Sequence, residues 1–337
     1  MAVGTSALEG VVNSTWHERT VLVTGATGLL GSWLVKSLVG SGARVVALIR
    51  DHDPQSELLR SGLVRRITVV DGRLESLADI ERALAVNEVD TVFHLGAQTL
   101  VGPALHDPVG TLEVNVRGTW NLLEACRRQS ALVQRVLVAS SDKAYGGAPS
   151  LPYTEDTPLR GQHPYDVSKS CADLLAQSWF HTYGTPVVIA RCGNIYGGGD
   201  LNWSRLVPGA IRSLLHGQRP IVRSDGTFLR DYVYVEDAVD AYLKMADSLA
   251  TPGVAGQAFN FGPGKPETVL GVIASIAEQL GRGDLEPVVQ DSARAEIRDQ
   301  FLDATRAASV LGWQPKWSLK TGLAPTISWY RSFLGIL

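Results

Sequence analysis

Cysteine is scarce, with Cys126, Cys171 and Cys192 alone in 337 residues. Their spacing offers neither a disulfide framework nor a thiolate metal site, and the context of each suits a small buried residue. A reducing compartment follows, and the chain is read as cytoplasmic. No charge of either sign dominates: 31 Lys and Arg against 34 Asp and Glu leave −3. That balance excludes a global field recruiting nucleic acid or an anionic membrane. A phosphate-bearing ligand must then be held by a few local groups. No apolar run approaches the roughly 20 residues that span a bilayer, so no membrane partner is expected. Residues 1–18 lack a basic-then-apolar leader and read as a poorly ordered lead-in. The seven histidines show no ligand spacing, so no metal is expected. His94 ends an apolar strand and reads as a satisfied core residue.

What is present is alternation. Apolar runs of strand length at Thr20–Thr24, Arg44–Ile49, Ile67–Val70, Thr91–Leu95, Arg135–Ala139 and Pro186–Arg191 alternate with segments of helical period at Leu29–Val39, Ser76–Ala85, Val109–Arg128 and Tyr165–Tyr183. This order predicts an α/β fold, a doubly wound parallel sheet of the Rossmann type, with a smaller C-terminal α/β substrate lobe. Past Asn194 the pattern changes. Leu206–His216 and Glu267–Gly281 read as helices of the lobe, and Tyr232–Val235 and Ala258–Phe261 as strands returning. The dinucleotide-binding domain is expected over 18–195 and about 232–262, the lobe over about 196–231 and 263–337. Trp313 and Trp317 are expected to pack that lobe.

Gly25, Gly28 and Gly31 follow the first strand and open a helix, the context in which such glycines bind a dinucleotide. The first permits a tight turn, the second a close approach of the pyrophosphate, and the third close helix–strand packing, while amides at Thr27, Leu29 and Leu30 face the phosphates. The second strand ends Leu48-Ile49-Arg50-Asp51. Arg50 would favour the 2′-phosphate of NADP and Asp51 the ribose of NAD, so both cofactors stay open.

Tyr165 and Lys169 are four positions apart and share a helix face. The ammonium can sit near the phenol and favour phenolate, making Tyr165 a general base toward a substrate hydroxyl, although an ordinary phenol titrates near 10. Lys169 also has the reach to hold the nicotinamide ribose. Ser140-Ser141-Asp142-Lys143 stands at the carboxyl end of the fifth strand. Oxidation needs neither Asp142 nor Lys143. Removing water across two carbons needs an acid for the leaving hydroxyl and a base for the adjacent proton.

These residues, together with Gly31-Ser-Trp33, Phe93-His-Leu-Gly-Ala-Gln98, Asn115-Val-Arg-Gly-Thr119, Gly193-Asn194, Gly197-Gly-Gly-Asp200 and Leu311-Gly-Trp313, resemble the extended short-chain dehydrogenases/reductases acting on nucleotide sugars. The likeness runs from Trp16 to Tyr330. Asp142-Lys143 is similar to the CDP-glucose 4,6-dehydratase branch, where dTDP-glucose dehydratases usually carry Asp-Glu. The resemblance implies NAD as cofactor, with Asp71, Leu95, Ala97, Gln98 and Asn115 lining its site. It implies that Ser141, Tyr165 and Lys169 serve oxidation at C4, that Asp142 protonates the departing C6 hydroxyl, and that Lys143 assists loss of the C5 proton. Asn194, Leu206, Val207 and the arginines Arg205, Arg230 and Arg298 are expected on the nucleotide-diphosphate sugar. Arg230-Asp231-Tyr232 is the version common among epimerases and other dehydratases. A 4-epimerase, needing only Ser141, Tyr165, Lys169 and a sugar free to rotate, is a second reading beside dehydration, and a non-catalytic dinucleotide-binding regulator is a third. A homodimer is expected by resemblance, through apolar residues such as Leu122, Leu123, Leu174, Leu175 and Trp179.

Overall fold

The computed structural model describes residues 16–292 and 296–336, so most of the expected lead-in lies outside the described residues. The first strands are β1 (Thr20–Thr24), β2 (Arg44–Ile49), β3 (Thr68–Asp71), β4 (Thr91–His94), β5 (Arg135–Ala139) and β6 (Val187–Cys192). Short strands follow at β7 (Asn194–Tyr196), β8 (Ile221–Val222), β9 (Leu229–Arg230) and β10 (Tyr232–Tyr234), then β11 (Ala258–Phe261), β12 (Glu267–Thr268) and β13 (Val288–Val289). One seven-stranded parallel sheet has the order β11-β6-β5-β4-β1-β2-β3.

Val21, Leu22 and Val23 are all fully buried. Successive strand residues point to opposite faces, so both faces of β1 are covered, which is why the strand reads as an unbroken apolar run. One face packs against Leu34, Leu38, Tyr242 and Met245 from the helices Leu29–Gly40 and Val235–Ser248. The other packs against Ile80, Leu84, Leu122, Leu123 and Ala176 from Leu77–Val86, Gly118–Arg128 and Pro164–Tyr183. A third core, around Tyr196, Ile211, Ile273 and Tyr330, joins the helices Leu206–Leu215, Val269–Leu280 and Leu319–Leu334 into the lobe. The chain winds from β1 outward to β3 and returns to β4 on the other side of β1. That reversal opens a crevice at the carboxyl ends of β1 and β4.

Two expectations are corrected. The single helix Val109–Arg128 is instead Pro108–Leu112, a π turn over Glu113–Arg117, and Gly118–Arg128. There Thr119 Oγ1 donates to the Asn115 carbonyl at 2.6 Å, competing for the acceptor that a regular helix turn uses. Trp313 belongs to the sheet core: its ring lies 5.0 Å from that of Phe261, and Nε1 donates to the Asp237 carbonyl at 3.0 Å. Trp317 does pack in the lobe, 4.6 Å from Tyr234. Among the described residues no helix is long and apolar enough to cross a membrane.

Candidate active site

A cleft of about 1340 Å³ runs from the β1–helix turn across the carboxyl ends of the strands into the lobe. At one end Gly25, Thr27, Gly28, Leu29, Leu30 and Gly31 line it, with Leu95 and Ala97 opposite. Gly25 has φ +72, and a Cβ there would lie 2.8 Å from the Gly96 nitrogen. A Cβ on Gly31 would run into the Gly25 carbonyl. Glycine is therefore required where the loop turns and where the helix starts against the strand. The result is a helix amino end with no side chain over it, a cradle that fits a dinucleotide pyrophosphate.

Gln98 and Asn115 support this end from behind. The Gln98 amide donates to Asn115 Oδ1 at 2.7 Å, and Asn115 Nδ2 donates to the Gln98 carbonyl and to Ser168 Oγ, each at 2.9 Å. Neither Gln98 nor Asn115 lines the cleft, and two further expected cofactor residues, Arg50 and Asp71, also stand outside it. Arg50 is exposed and paired with Asp51 at 2.6 Å, and Asp71 is exposed and bonded to His52 at 2.6 Å. Asp53 lines the cleft instead. It sits beyond the strand end, where reading the last strand residues alone misses it.

At the middle of the cleft stand Ser140, Ser141, Lys143, Tyr165, Lys169 and Asn194. Tyr165 is pushed up to about 12, chiefly by burial; Arg205 is the cation that most favours its phenolate, Asp142 opposes, and the Ser141 hydroxyl assists through a hydrogen bond. Lys169 is held down to about 8, chiefly by burial, against the pull of Asp173. Its Nζ donates to the Ala139 carbonyl at 2.9 Å. Arg205 itself donates to Asp200 Oδ2 and Thr99 Oγ1 at 2.9 Å each.

Asp142 is buried beneath the cleft floor and does not line it. Its Oδ1 accepts from Ser141 Oγ at 2.9 Å and from Lys143 Nζ at 3.3 Å, while Oδ2 has no partner. Lys143 also donates to Asn194 Oδ1 at 3.2 Å. Ser141 and Lys143, both in the cleft wall, are the routes by which the Asp142 carboxyl communicates with a ligand.

A buried network fixes this geometry. Arg191 on β6 donates to Asp173 on the Tyr165 helix and, at 2.9 Å, to the Tyr145 hydroxyl, which in turn donates to Asn260 on β11 at 2.7 Å. The Asp142–Tyr145 turn is thereby tied to both the helix and the sheet. His94, as expected, is a core residue: its ring nitrogens bond Thr24 and Thr119 at 2.9 and 3.0 Å, and burial holds it down to about 3, hence neutral.

Of the residues expected on the substrate, Asn194, Arg205, Leu206 and Val207 line the cleft; Arg230 and Arg298 do not. Arg230 is buried and donates to the carbonyls of Leu229, Ile297 and Arg298. The segment near Gln300 bridges to Arg230 and turns its carbonyls onto the guanidinium, which spends its donors there. Arg298 is 63% exposed and pairs with Asp225 at 3.4 Å. Arg223, Tyr232, Ser292 and Glu296 line the lobe side instead. Glu296 and Arg223 carry no local signal in the sequence, Arg223 being only an arginine after a short apolar run.

The sequence is similar to known proteins over nearly its whole length. The model of the "NAD dependent epimerase/dehydratase family" matches residues 21–289. The CDP-glucose 4,6-dehydratase of Salmonella typhimurium is 29% identical over 335 residues, covering 95% of this chain and 92% of the relative. The UDP-glucose 4-epimerase of Mycolicibacterium smegmatis is 33% identical over 320 residues, covering 92% and 98%. Among solved structures, the dTDP-glucose 4,6-dehydratase of Streptomyces venezuelae, with NAD bound, superposes with a TM-score of 0.85 at 28% identity, covering 94% of this chain and 98% of that one. The glycine cradle, the Tyr165–Lys169 helix and the matched span agree: this chain belongs to the NAD dependent epimerase/dehydratase family.

Proposed function

We propose that the protein is an NAD-dependent nucleotide-sugar 4,6-dehydratase that converts a CDP-glucose-like NDP-hexose to the NDP-4-keto-6-deoxyhexose and water. The observation that carries this reading is the Asp142–Lys143 couple beside Tyr165, because C4 chemistry alone uses neither member of that couple. Asp53 in the cleft wall supports NAD over NADP, since a carboxylate welcomes ribose hydroxyls and repels a 2′-phosphate. Arg50, turned onto Asp51, offers that phosphate no donor.

NAD, which the glycine cradle would hold, would supply the hydride acceptor for C4 and the hydride donor for C6. The residues supply the proton movements. Tyr165 accepts the C4 hydroxyl proton while Ser141 holds the oxygen. Lys143 assists removal of the C5 proton, which the adjacent ketone has made acidic. The leaving C6 hydroxyl takes a proton from Ser141 Oγ, which Asp142 replenishes, and departs as water; the proton that Tyr165 took from the C4 hydroxyl restores the acid by the end of the turnover. Lys143 then assists return of a proton to C5. Arg205 offers positive charge for the diphosphate.

A second reading, 4-epimerisation, is favoured by the burial of Asp142 beneath the floor and by the epimerase relative. A nucleotide-sugar panel followed by mass spectrometry tests the first reading: loss of one water from a CDP-hexose supports it, while a stereochemical change with no mass change overturns it. We also propose a homodimer. Leu122 and Leu123 cover the sheet, but Val109 (69%), Leu174 (53%) and Trp120 (41%) stay exposed on the neighbouring helices. Sedimentation equilibrium at micromolar concentration tests it; a monomer there overturns it.

A further inference from the structure

The lobe end of the cleft is edged by two strands that run on past their paired residues. β8 and β13 pair in parallel, and beyond them the Gln290 amide donates to the Val222 carbonyl at 2.8 Å and the Ser292 amide to the Arg223 carbonyl at 2.6 Å. Arg223 and Ser292 are thereby brought side by side on the cleft wall. Glu296 stands on the same wall. Its carboxylate is close enough to act on the Tyr232 phenol, which burial first of all pushes up and to which Glu296 adds.

Arg223 and Glu296 are both exposed, and among the described residues neither side chain forms a hydrogen bond or an ion pair. One cation and one anion therefore line the cleft without a side-chain partner among the described residues. They line the same cleft as the glycine cradle and as Leu206, Val207 and Pro208. A nucleotide sugar that puts its hexose against Tyr165 needs a place for its base, and this end provides one.

Bases differ in the donors and acceptors along their edges. Cytosine shows an exocyclic amine, a donor, next to the acceptors N3 and O2; a carboxylate accepts from the amine, and a guanidinium donates to the acceptors. Uracil and thymine place a carbonyl oxygen where cytosine has the amine, and N3 carries hydrogen. A carboxylate then meets lone pairs, and a guanidinium meets a donor. We propose that Arg223 and Glu296 form the base-reading site and select cytosine over uracil and thymine. This assignment rests on the nucleotide-sugar reading of the cleft.

The test is calorimetric titration of the intact chain with CDP, UDP, dTDP and GDP, in wild type, Glu296→Gln and Arg223→Met. Both positions are exposed, so the variants keep the fold, which thermal melting checks. Wild type is expected to bind CDP about tenfold or more tighter than UDP or dTDP, the scale of one well-made base contact. Glutamine both donates and accepts, so Glu296→Gln brings the three pyrimidine nucleotides to within about threefold of one another. Arg223→Met weakens CDP by about tenfold. Equal or tighter binding of UDP, dTDP or GDP in wild type overturns the assignment, as does an unchanged preference in Glu296→Gln. The two readings fail separately. Water loss that runs faster from dTDP- or UDP-glucose than from CDP-glucose removes the base assignment and leaves the dehydratase. CDP selectivity without water loss from any sugar nucleotide does the reverse.

Discussion

The guanidinium of Arg191 meets both carboxylate oxygens of Asp173, at 2.8 and 2.9 Å, with both side chains buried. This pair bolts the helix carrying Tyr165 and Lys169 to β6. Desolvating two charges roughly cancels their attraction, so such a pair adds little net stability, yet removing one partner strands the other. Asp173→Asn or Arg191→Met is expected to cost about 3–5 kcal/mol in urea unfolding, and the double replacement less than the sum of the singles. Additive single losses would show that the pair is not coupled.

Tyr165→Phe keeps the ring and deletes the proton acceptor. Turnover is expected to fall about 10²–10⁴-fold, the usual contribution of a positioned general base, with nucleotide binding retained. Unchanged turnover with a sugar nucleotide would remove Tyr165 from the chemistry.

Replacing Asp142 by Asn and Lys143 by Met together should slow elimination more than C4 oxidation. Reduced cofactor is then expected to build up during the reaction, visible as absorbance of the dihydronicotinamide. A double variant that releases deoxy-keto sugar at the wild-type rate would transfer the elimination to other residues.

His94 gives a pH signature. Its folded value is lowered to about 3 while the unfolded ring titrates near 6.5, so between those limits the unfolded state binds the extra proton. Stability therefore falls as pH drops below about 6.5, by up to about 1.4 kcal/mol per pH unit from this group, and the fall continues toward 3. Carboxylates add their own slope at the acid end, which makes pH 5 to 6.5 the diagnostic window. In His94→Gln the slope of unfolding free energy there is expected to flatten by about one proton; an identical slope would mean His94 is not buried neutral.

Thr20–Thr24 is legible residue for residue, because a strand buried on both faces leaves an unbroken apolar run, here Val21-Leu22-Val23, in the chain. The glycine cradle is legible for a related reason: Gly25 and Gly31 meet backbone atoms within their own strand–turn–helix unit or next to it, and only glycine fits there. The π turn at Glu113–Arg117 leaves no such trace, since no glycine, proline or break in the apolar pattern marks it in the sequence.

The chain by itself determined the doubly wound sheet, the dinucleotide cradle and the company of Ser141, Lys143, Tyr165 and Lys169, because each depends on contacts between residues close in sequence or on the carboxyl ends of adjacent strands. Tertiary structure alone decided which arginine serves which purpose. Arg230, Arg298, Arg205 and Arg223 look alike as letters. Carbonyls from the segment near Gln300 claim Arg230, and Asp225 holds Arg298, while Arg205, paired with Asp200, and Arg223 line the cleft. A guanidinium has a fixed number of donors, and which groups saturate them is settled by segments tens of residues away.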